Sequence, residues 1–336
     1  RHTRSLSVSG LGDVYKRQDQ IISVTSAPQS GYSTRKMNAG LIRNRGVELS
    51  LGGMPVSTKN WKWEMNFNIA KNSNKLVELA DGVDSYSIYW TSFTTRLYNY
   101  AMVGKSLGVI TGNTWERDDN GNIIFHELSA SQKALYGGEY VPTYNQNTLD
   151  ELGNFHPDFT GGFNTSISFK NFRLSANIDF SVGGQIVSYT NMWGSSSGIL
   201  DKTAELNDRG VNVREPVSKG GGIHMTGVDQ DGNKVDTYVN AKLYYTTASR
   251  VWEEWVYDRT YVKLREVSLS YVFPSQTLKK LNIGLSRASV AINASNPWLI
   301  YSACPNVDVS EIGMGYFEGG NAAATRSIGF TVNLAF

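Results

Sequence analysis

The segment Trp61-Lys62-Trp63-Glu64-Met65-Asn66-Phe67-Asn68-Ile69-Ala70-Lys71-Asn72 decides how the rest of the chain reads. Side chains alternate with period two along a strand, so Trp61, Trp63, Met65, Phe67 and Ile69 share one face. Lys62, Glu64, Asn66 and Asn68 share the other. The alternation runs over about nine positions, longer than the usual five or six residues of a soluble strand. It matches the roughly 9–11 residues with which a tilted strand crosses a bilayer.

The same pattern recurs on both sides of this segment. Upstream, Val47, Leu49 and Leu51 oppose Glu48 and Ser50. Downstream, Phe163, Ile167 and Phe169 precede a tight Lys170-Asn171 connection, which predicts a hairpin. Phe172, Leu174, Ala176, Ile178 and Phe180 follow, facing away from Arg173, Ser175, Asn177, Asp179 and Ser181. Val267, Leu269, Tyr271 and Phe273 keep one phase, whereas Val262 and Leu264 keep the other, and that slip predicts a bulge. Ala288, Val290, Ile292 and Ala294 form a further face. Ile328, Phe330, Val332, Leu334 and Phe336 form the last. With weaker segments near Gly108–Ile110, Ile123–Phe125 and Tyr238–Tyr244, the pattern predicts about ten strands and no long helix.

Connections are of two kinds. Lys170-Asn171 and Ser275 to Leu281 are short; residues 72–105, 126–160, 183–237 and 297–325 read as long polar loops. Short turns at one end and long loops at the other are the asymmetry of an outer-membrane barrel. A soluble sheet also alternates, but its solvent face should be charged. Here that face is rich in Asn, Ser, Thr and Gly, which suits a confined, water-filled lumen. The competing expectation is a soluble or surface-bound carbohydrate-binding β protein.

Composition excludes several classes. The 336 residues carry a net charge of +2, giving no global pull toward nucleic acid. Tyr is present 18 times and Trp 8 times, suiting surfaces that are apolar at one end and wet at the other. Cys304 is the sole cysteine, so no internal disulfide forms; it reads as a small buried hydrophobe. His2, His126, His156 and His224 lack metal-ligand spacing, and no cofactor or metal is expected. Asp118 to Asn122 and Asp229 to Asn233 read as Gly-containing turns, not calcium loops. Gly220-Gly221-Gly222 reads as a flexible loop tip. No serine sits in a nucleophile elbow and no carboxylate pair shares a strand face, so no catalytic residue is expected. A barrel enzyme would need a Ser/His pair in the wall, and no strand carries one.

Aromatic residues cluster near the strand ends and in the loops. Trp61, Trp63, Trp252 and Trp255 are expected in an interfacial girdle. Tyr189, Asn191 and Trp193, after Gly183-Gly184, are the candidate substrate-binding residues, because rings stack on apolar patches while amides set orientation.

A set of ordered segments then resembles a known family. They are Asn44-Arg45-Gly46-Val47-Glu48-Leu49, Trp61 to Asn74, Pro157 to Phe163, Val182-Gly183-Gly184-Gln185, Tyr261 to Tyr271 with Pro274, Asn293 to Pro297, and the last strand. In this order and spacing they resemble the C-terminal half of SusC/RagA-type TonB-dependent outer-membrane transporters of Bacteroidetes, over residues 35–336. The departure is Asn296-Pro297-Trp298-Leu299, where members often have Asn-Leu-Phe.

The resemblance implies an all-β fold: the C-terminal part of a large transmembrane barrel with short periplasmic turns and long extracellular loops. It implies TonB-dependent import of oligosaccharides or peptides, without covalent chemistry. The implied partners are a SusD-like lipoprotein, the TonB complex, outer-membrane lipid and the barrel-assembly machinery, which would read Phe336. Residues 19–336 are expected to be this barrel portion, with plug and N-terminal strands lying upstream. Residues 1–18, containing Asp13-Val14-Tyr15-Lys16-Arg17-Gln18, resemble translated sequencing-adapter sequence and are expected to be non-native.

Overall fold

A computed structural model describes residues 6–17, 21–25, 34–38, 40–79, 82–91, 95–281, 284–312, 317–319 and 324–336. Its framework is an eight-stranded antiparallel sheet: β1 (Leu6–Arg17), β2 (Gly40–Ser57), β3 (Trp61–Leu79), β4 (Phe159–Phe169), β5 (Phe172–Val182), β6 (Tyr261–Val272), β7 (Arg287–Ser302) and β8 (Ser327–Ala335). Each strand pairs with the next in sequence, so the sheet is an up-and-down meander.

Antiparallel partners share a face, so the register tests the alternation row by row. Trp63, Ile167, Leu174, Leu269, Ile292 and Phe330 stand in one row across six strands. The neighbouring row is Glu64, Ser166, Ser175, Ser268, Asn293 and Gly329. One face is therefore continuously apolar and the other continuously polar. The apolar face is left in the open: Ile292 is 52% and Phe330 67% exposed.

The predicted phase slip is a bulge at Arg265. Glu266 pairs with Asn177 and Leu264 with Ile178, leaving Arg265 as the extra residue. The bulge turns Val262 and Leu264 onto the same face as Val267 and Leu269. A second irregularity in β7, where Asn296 has φ 49°, absorbs Pro297 and sets Trp298 opposite Leu264. Proline is tolerated in a strand at such a bulge.

At one end the strands join through residues 58–60, Lys170-Asn171 and a helix at Ser275–Leu281. At the other end the connections are long and folded. They contain a four-stranded sheet built from Ser85–Thr91, Leu97–Met102, Val109–Gly112 and Asp150–Asn154. They also contain a hairpin of Ile223–Val228 with Lys234–Val239, and helices at Ala130–Tyr136, Tyr189–Ser196 and Ala241–Ala248.

Three expectations change here. β7 runs through Ser302 where a loop was expected from residue 297, because its pairing with β6 resumes after the irregularity at Asn296-Pro297. β3 continues through Leu79 where a loop was expected from residue 72, because its backbone ladder with β2 persists from Asn72–Gly46 to Leu79–Gly40 after the apolar alternation stops. Tyr238–Tyr244 is not one strand. Asn240 intervenes, and its side chain accepts from the Lys242 and Leu243 amides to start a helix.

The main buried core lies in the loops. Leu97, Ile110 and Trp115 from the first long connection pack with Val187, Met192, Trp252 and Trp255 from the second and Phe317 from the third. Gly183 and Gly184, at φ 76° and 78°, turn the chain out of β5 into this core. A Cβ on Gly184 would lie 2.6 Å from the Phe155 carbonyl oxygen, so only glycine fits the kink.

Candidate functional site: the mouth of the wall

The chemically dense region is where the third long connection folds back onto the polar face near the start of β6. Lys263 stands in the polar row with Asp179 and is 1% exposed. Its ammonium donates to Asp308 Oδ2 at 2.7 Å, Ser310 Oγ at 3.0 Å and Glu311 Oε1 at 2.9 Å. All three N–H donors are thereby used, so no donor of the buried side chain is left without a partner.

Arg265, displaced inward by the bulge, donates from Nε to Asp179 at 2.9 Å and from Nη1 to Glu311. Asp308 also accepts from the Ser310 amide at 3.0 Å. Two cations and three carboxylates thus strap residues 303–312 to the inner wall. The Lys263 hydrogen bond holds the Glu311 carboxyl below its ordinary range, against a smaller effect of burial. For Asp308 burial pushes upward, but hydrogen bonds from Lys263 and Ser310 leave the carboxyl lowered. Beside the strap is a cavity of about 370 Å³, lined by Thr190, Lys263, Asn306, Glu311, Glu318 and Arg326 among others.

The predicted binding trio does not converge. Tyr189, Asn191 and Trp193 lie on the helix Tyr189–Ser196, where Tyr189 and Trp193, four apart, share a side and Asn191 points the other way. Tyr189 packs edge-on against Trp252, with ring centroids 5.3 Å apart. Burial pushes its phenol up to about 12. Asn191 is 1% exposed. Its amide donates to Ser188 Oγ at 3.0 Å and Pro305 O at 2.9 Å, and its carbonyl accepts from Asn306 at 2.9 Å. These bonds make it a brace between the second and third connections. Trp193 is 41% exposed at the surface of the loops.

The four tryptophans expected in a girdle separate into two pairs. Trp61 lies on the apolar face at the short-turn end, with its ring centroid 4.4 Å from that of Phe169. Trp63 stands one row further along that face and donates its indole N–H to Thr165 Oγ1 at 2.9 Å. Phe172 and Tyr271 continue the aromatic row beside Trp61, their centroids 4.7 Å apart.

Trp252 and Trp255 are placed otherwise: they are 0% and 1% exposed inside the loop core. The Trp255 indole donates to Ala248 O at 2.7 Å. An aromatic near a strand end has two destinations, interface or loop core, and three converging loops here supply a core. On the apolar face at the long-loop end stand instead Trp298 and Tyr301, 58% and 52% exposed.

The remaining residues fall out as follows. Phe336 follows β8 at the short-turn end and is 85% exposed. Cys304 is buried against Ile186, Tyr261 and Val309, and burial raises its thiol to about 12. Asp118 and Asp229 each accept from two backbone amides within their turns, and no metal-ligand cluster occurs among the described residues. Gly220–Gly222 is not a loose tip, because the Asn207 amide holds the Gly220 and Gly222 carbonyls at 2.8 and 3.1 Å. The residues missed in the sequence are Lys263, Asp308 and Glu311. Their sole sequence signal is a lysine in the polar row of a membrane-length strand.

An antiparallel wall with an open apolar face, a polar inner face, tight turns at one end and packed loops at the other is the wall of an outer-membrane type barrel. No protein-family model matches the sequence. Curated relatives do. TonB-dependent receptor P3 of Formosa agariphila is 27% identical over 301 residues, 87% of this chain and 28% of that protein. TonB-dependent receptor P26 of the same organism is 24% identical over 96% of this chain and 32% of its own length. SusC of Bacteroides thetaiotaomicron is 28% identical over 53% of the chain.

The RagAB peptide importer in its closed-closed state superposes with a TM-score of 0.68 at 18% identity, covering 98% of this chain and 33% of that one. Its open-open state gives 0.65. The chain is homologous to SusC/RagA-type TonB-dependent outer-membrane receptors, in part of their barrel. It spans about a third of the length of the relatives it matches.

Proposed function

We propose that this chain forms part of the wall and mouth of a TonB-dependent outer-membrane importer for oligosaccharides or peptides. The single observation that carries the reading is the open apolar face. A soluble β protein would bury that face in its core, whereas here the core lies in the loops and the apolar rows have no covering layer among the described residues. The polar rows line the passage, the loops receive substrate, and no covalent step occurs in this portion.

A SusD-like lipoprotein seated over the loops, and energy delivered by TonB through a plug domain, complete the proposal. Of the predicted binding trio, Trp193 is the one presented at the surface, and substrate stacking is assigned to it. Residues 1–18 are held to be non-native, on the likeness of Asp13 to Gln18 to adapter sequence, so that β1 stands beside β2 in the place of a native strand; the residue sequence of the protein purified from its natural host tests this. The functional reading is tested by uptake. A strain lacking the gene should fail to accumulate a labelled oligosaccharide or peptide, and complementation should restore it. Water-soluble, detergent-independent protein would refute it.

A further inference from the structure

β2 and β3 run past the end of the apolar band, and their outward face changes character there. On β3 the sequence Phe67, Ile69 gives way to Lys71, Ser73 and Lys75; on β2, Leu49 and Val47 give way to Arg45 and Arg43. The register sets Val47 opposite Lys71, Arg45 opposite Ser73 and Arg43 opposite Lys75. Directly paired residues lie about 5 Å apart and same-face neighbours along a strand about 6.7 Å. Four cations therefore share a patch roughly 5 by 13 Å.

Arg45, Lys71 and Lys75 are exposed. Lys71 Nζ lies 5.0 Å from the Phe159 ring centroid. Among the described residues none of the four makes an ion pair. Glu48 projects to the opposite face, and among the described residues of β2 and β3 the carboxylate on their own face is Glu78, beyond Lys75. The inward side of the same extension is occupied differently: Asn74 accepts from Ser106 Oγ at 2.8 Å and the Leu107 amide at 2.7 Å, fixing the first loop.

Unpaired cations immediately above an exposed apolar belt fit one partner chemistry, an anionic headgroup joined to acyl chains. We propose that Arg43, Arg45, Lys71 and Lys75 dock the phosphorylated headgroup of a membrane lipid in the leaflet at the long-loop end. Its chains lie along Val47, Leu49 and Ile69. Arg45 supplies a planar fork to phosphate oxygens, and Lys71 and Lys75 supply point charges. The inference rests on the reading that the apolar face meets lipid.

The test is retention of a phosphorylated glycolipid (lipid A) against its enzymatically dephosphorylated form, read by native mass spectrometry of the detergent-purified protein. The phosphorylated form should be retained more strongly. The triple variant Arg45→Gln, Lys71→Gln, Lys75→Gln should lose roughly a hundredfold in that retention, three cations each acting at the strength typical of an anionic lipid surface. The charge-keeping Arg45→Lys, Lys71→Arg, Lys75→Arg variant should retain it. Unchanged resistance to heat on gels shows that both variants fold. Equal retention of the two lipids, no loss in the triple variant, or full displacement by inorganic phosphate would overturn the docking surface. A protein that retains neither lipid and stays folded without detergent would instead overturn the lipid-facing reading.

Discussion

Lys263→Met removes the charge at the centre of the strap and keeps most of the side-chain volume. Taking one partner from a fully buried ion pair costs about 3–5 kcal/mol. Here the lysine side chain is 2% exposed, but Asp308 and Glu311 are 23% and 39% exposed and reach water more easily. Arg265 also remains on Glu311. About half the buried-pair cost, ~2 kcal/mol, is therefore expected to fall on the closed strap. That is about a 30-fold rise in its opening equilibrium. Native-state hydrogen exchange should show amides of residues 303–312, such as Ala303 bonded to Thr260 O, exchanging faster by that factor. The β6–β7 ladder should stay protected, because its pairing does not use the Lys263 side chain. Unchanged exchange in the strap, or equal loosening of strap and wall, would refute the claim that this cluster fastens the loop.

Acid should open the same strap. The Asp308 and Glu311 carboxyls are lowered in the folded state, so their stabilisation is complete above the ordinary carboxylate range and lost as pH falls through the folded values. Protection should hold down to about pH 4 and fall below it; loss between pH 7 and 5 would contradict the assignment. Val267→Arg places a cation in the middle apolar row and should cost about 2–4 kcal/mol of membrane-folded stability, whereas Ser268→Arg on the lumen face should be tolerated. Urea titration of protein refolded in lipid vesicles compares them. Trp252→Ala should cost about 3–5 kcal/mol and loosen all three long connections, as a core deletion does and an interfacial one does not. Limited proteolysis of the loops reads it. Deleting Phe336 should lower the amount assembled in the outer membrane with little change in the stability of what does assemble, which quantitative blotting of membrane fractions measures.

The wall was legible because a half-exposed strand writes its environment with period two, and a misplaced residue would land on the wrong face. The row from Trp63 to Phe330 and the bulge near Arg265 follow from that rule alone. The mouth was not legible. Lys263 and Asp308 are 45 residues apart, and no periodicity links a strand position to a loop carboxylate. Asn191 has the chemistry of a ligand-binding amide, yet its bonding capacity is consumed by Ser188, Pro305 and Asn306, and only the folded neighbours reveal that. Trp252 and Trp255 were misplaced for a related reason. Their local sequence specifies an aromatic beside a strand, while the choice between bilayer surface and loop interior is made by residues more than a hundred positions away, Ile110 and Trp115 among them.

The loop core has a consequence for how these connections can be exchanged. Trp115, Trp252 and Phe317 come from three separate connections and bury one another, so none of the three can be replaced alone without emptying part of a shared interior. Grafting a single loop from a relative with another preference should yield misfolded mouths. Exchange of all three as a block should preserve the fold. Substitutions should therefore be tolerated mainly at the outer residues of the loops, and the three connections should exchange as one unit.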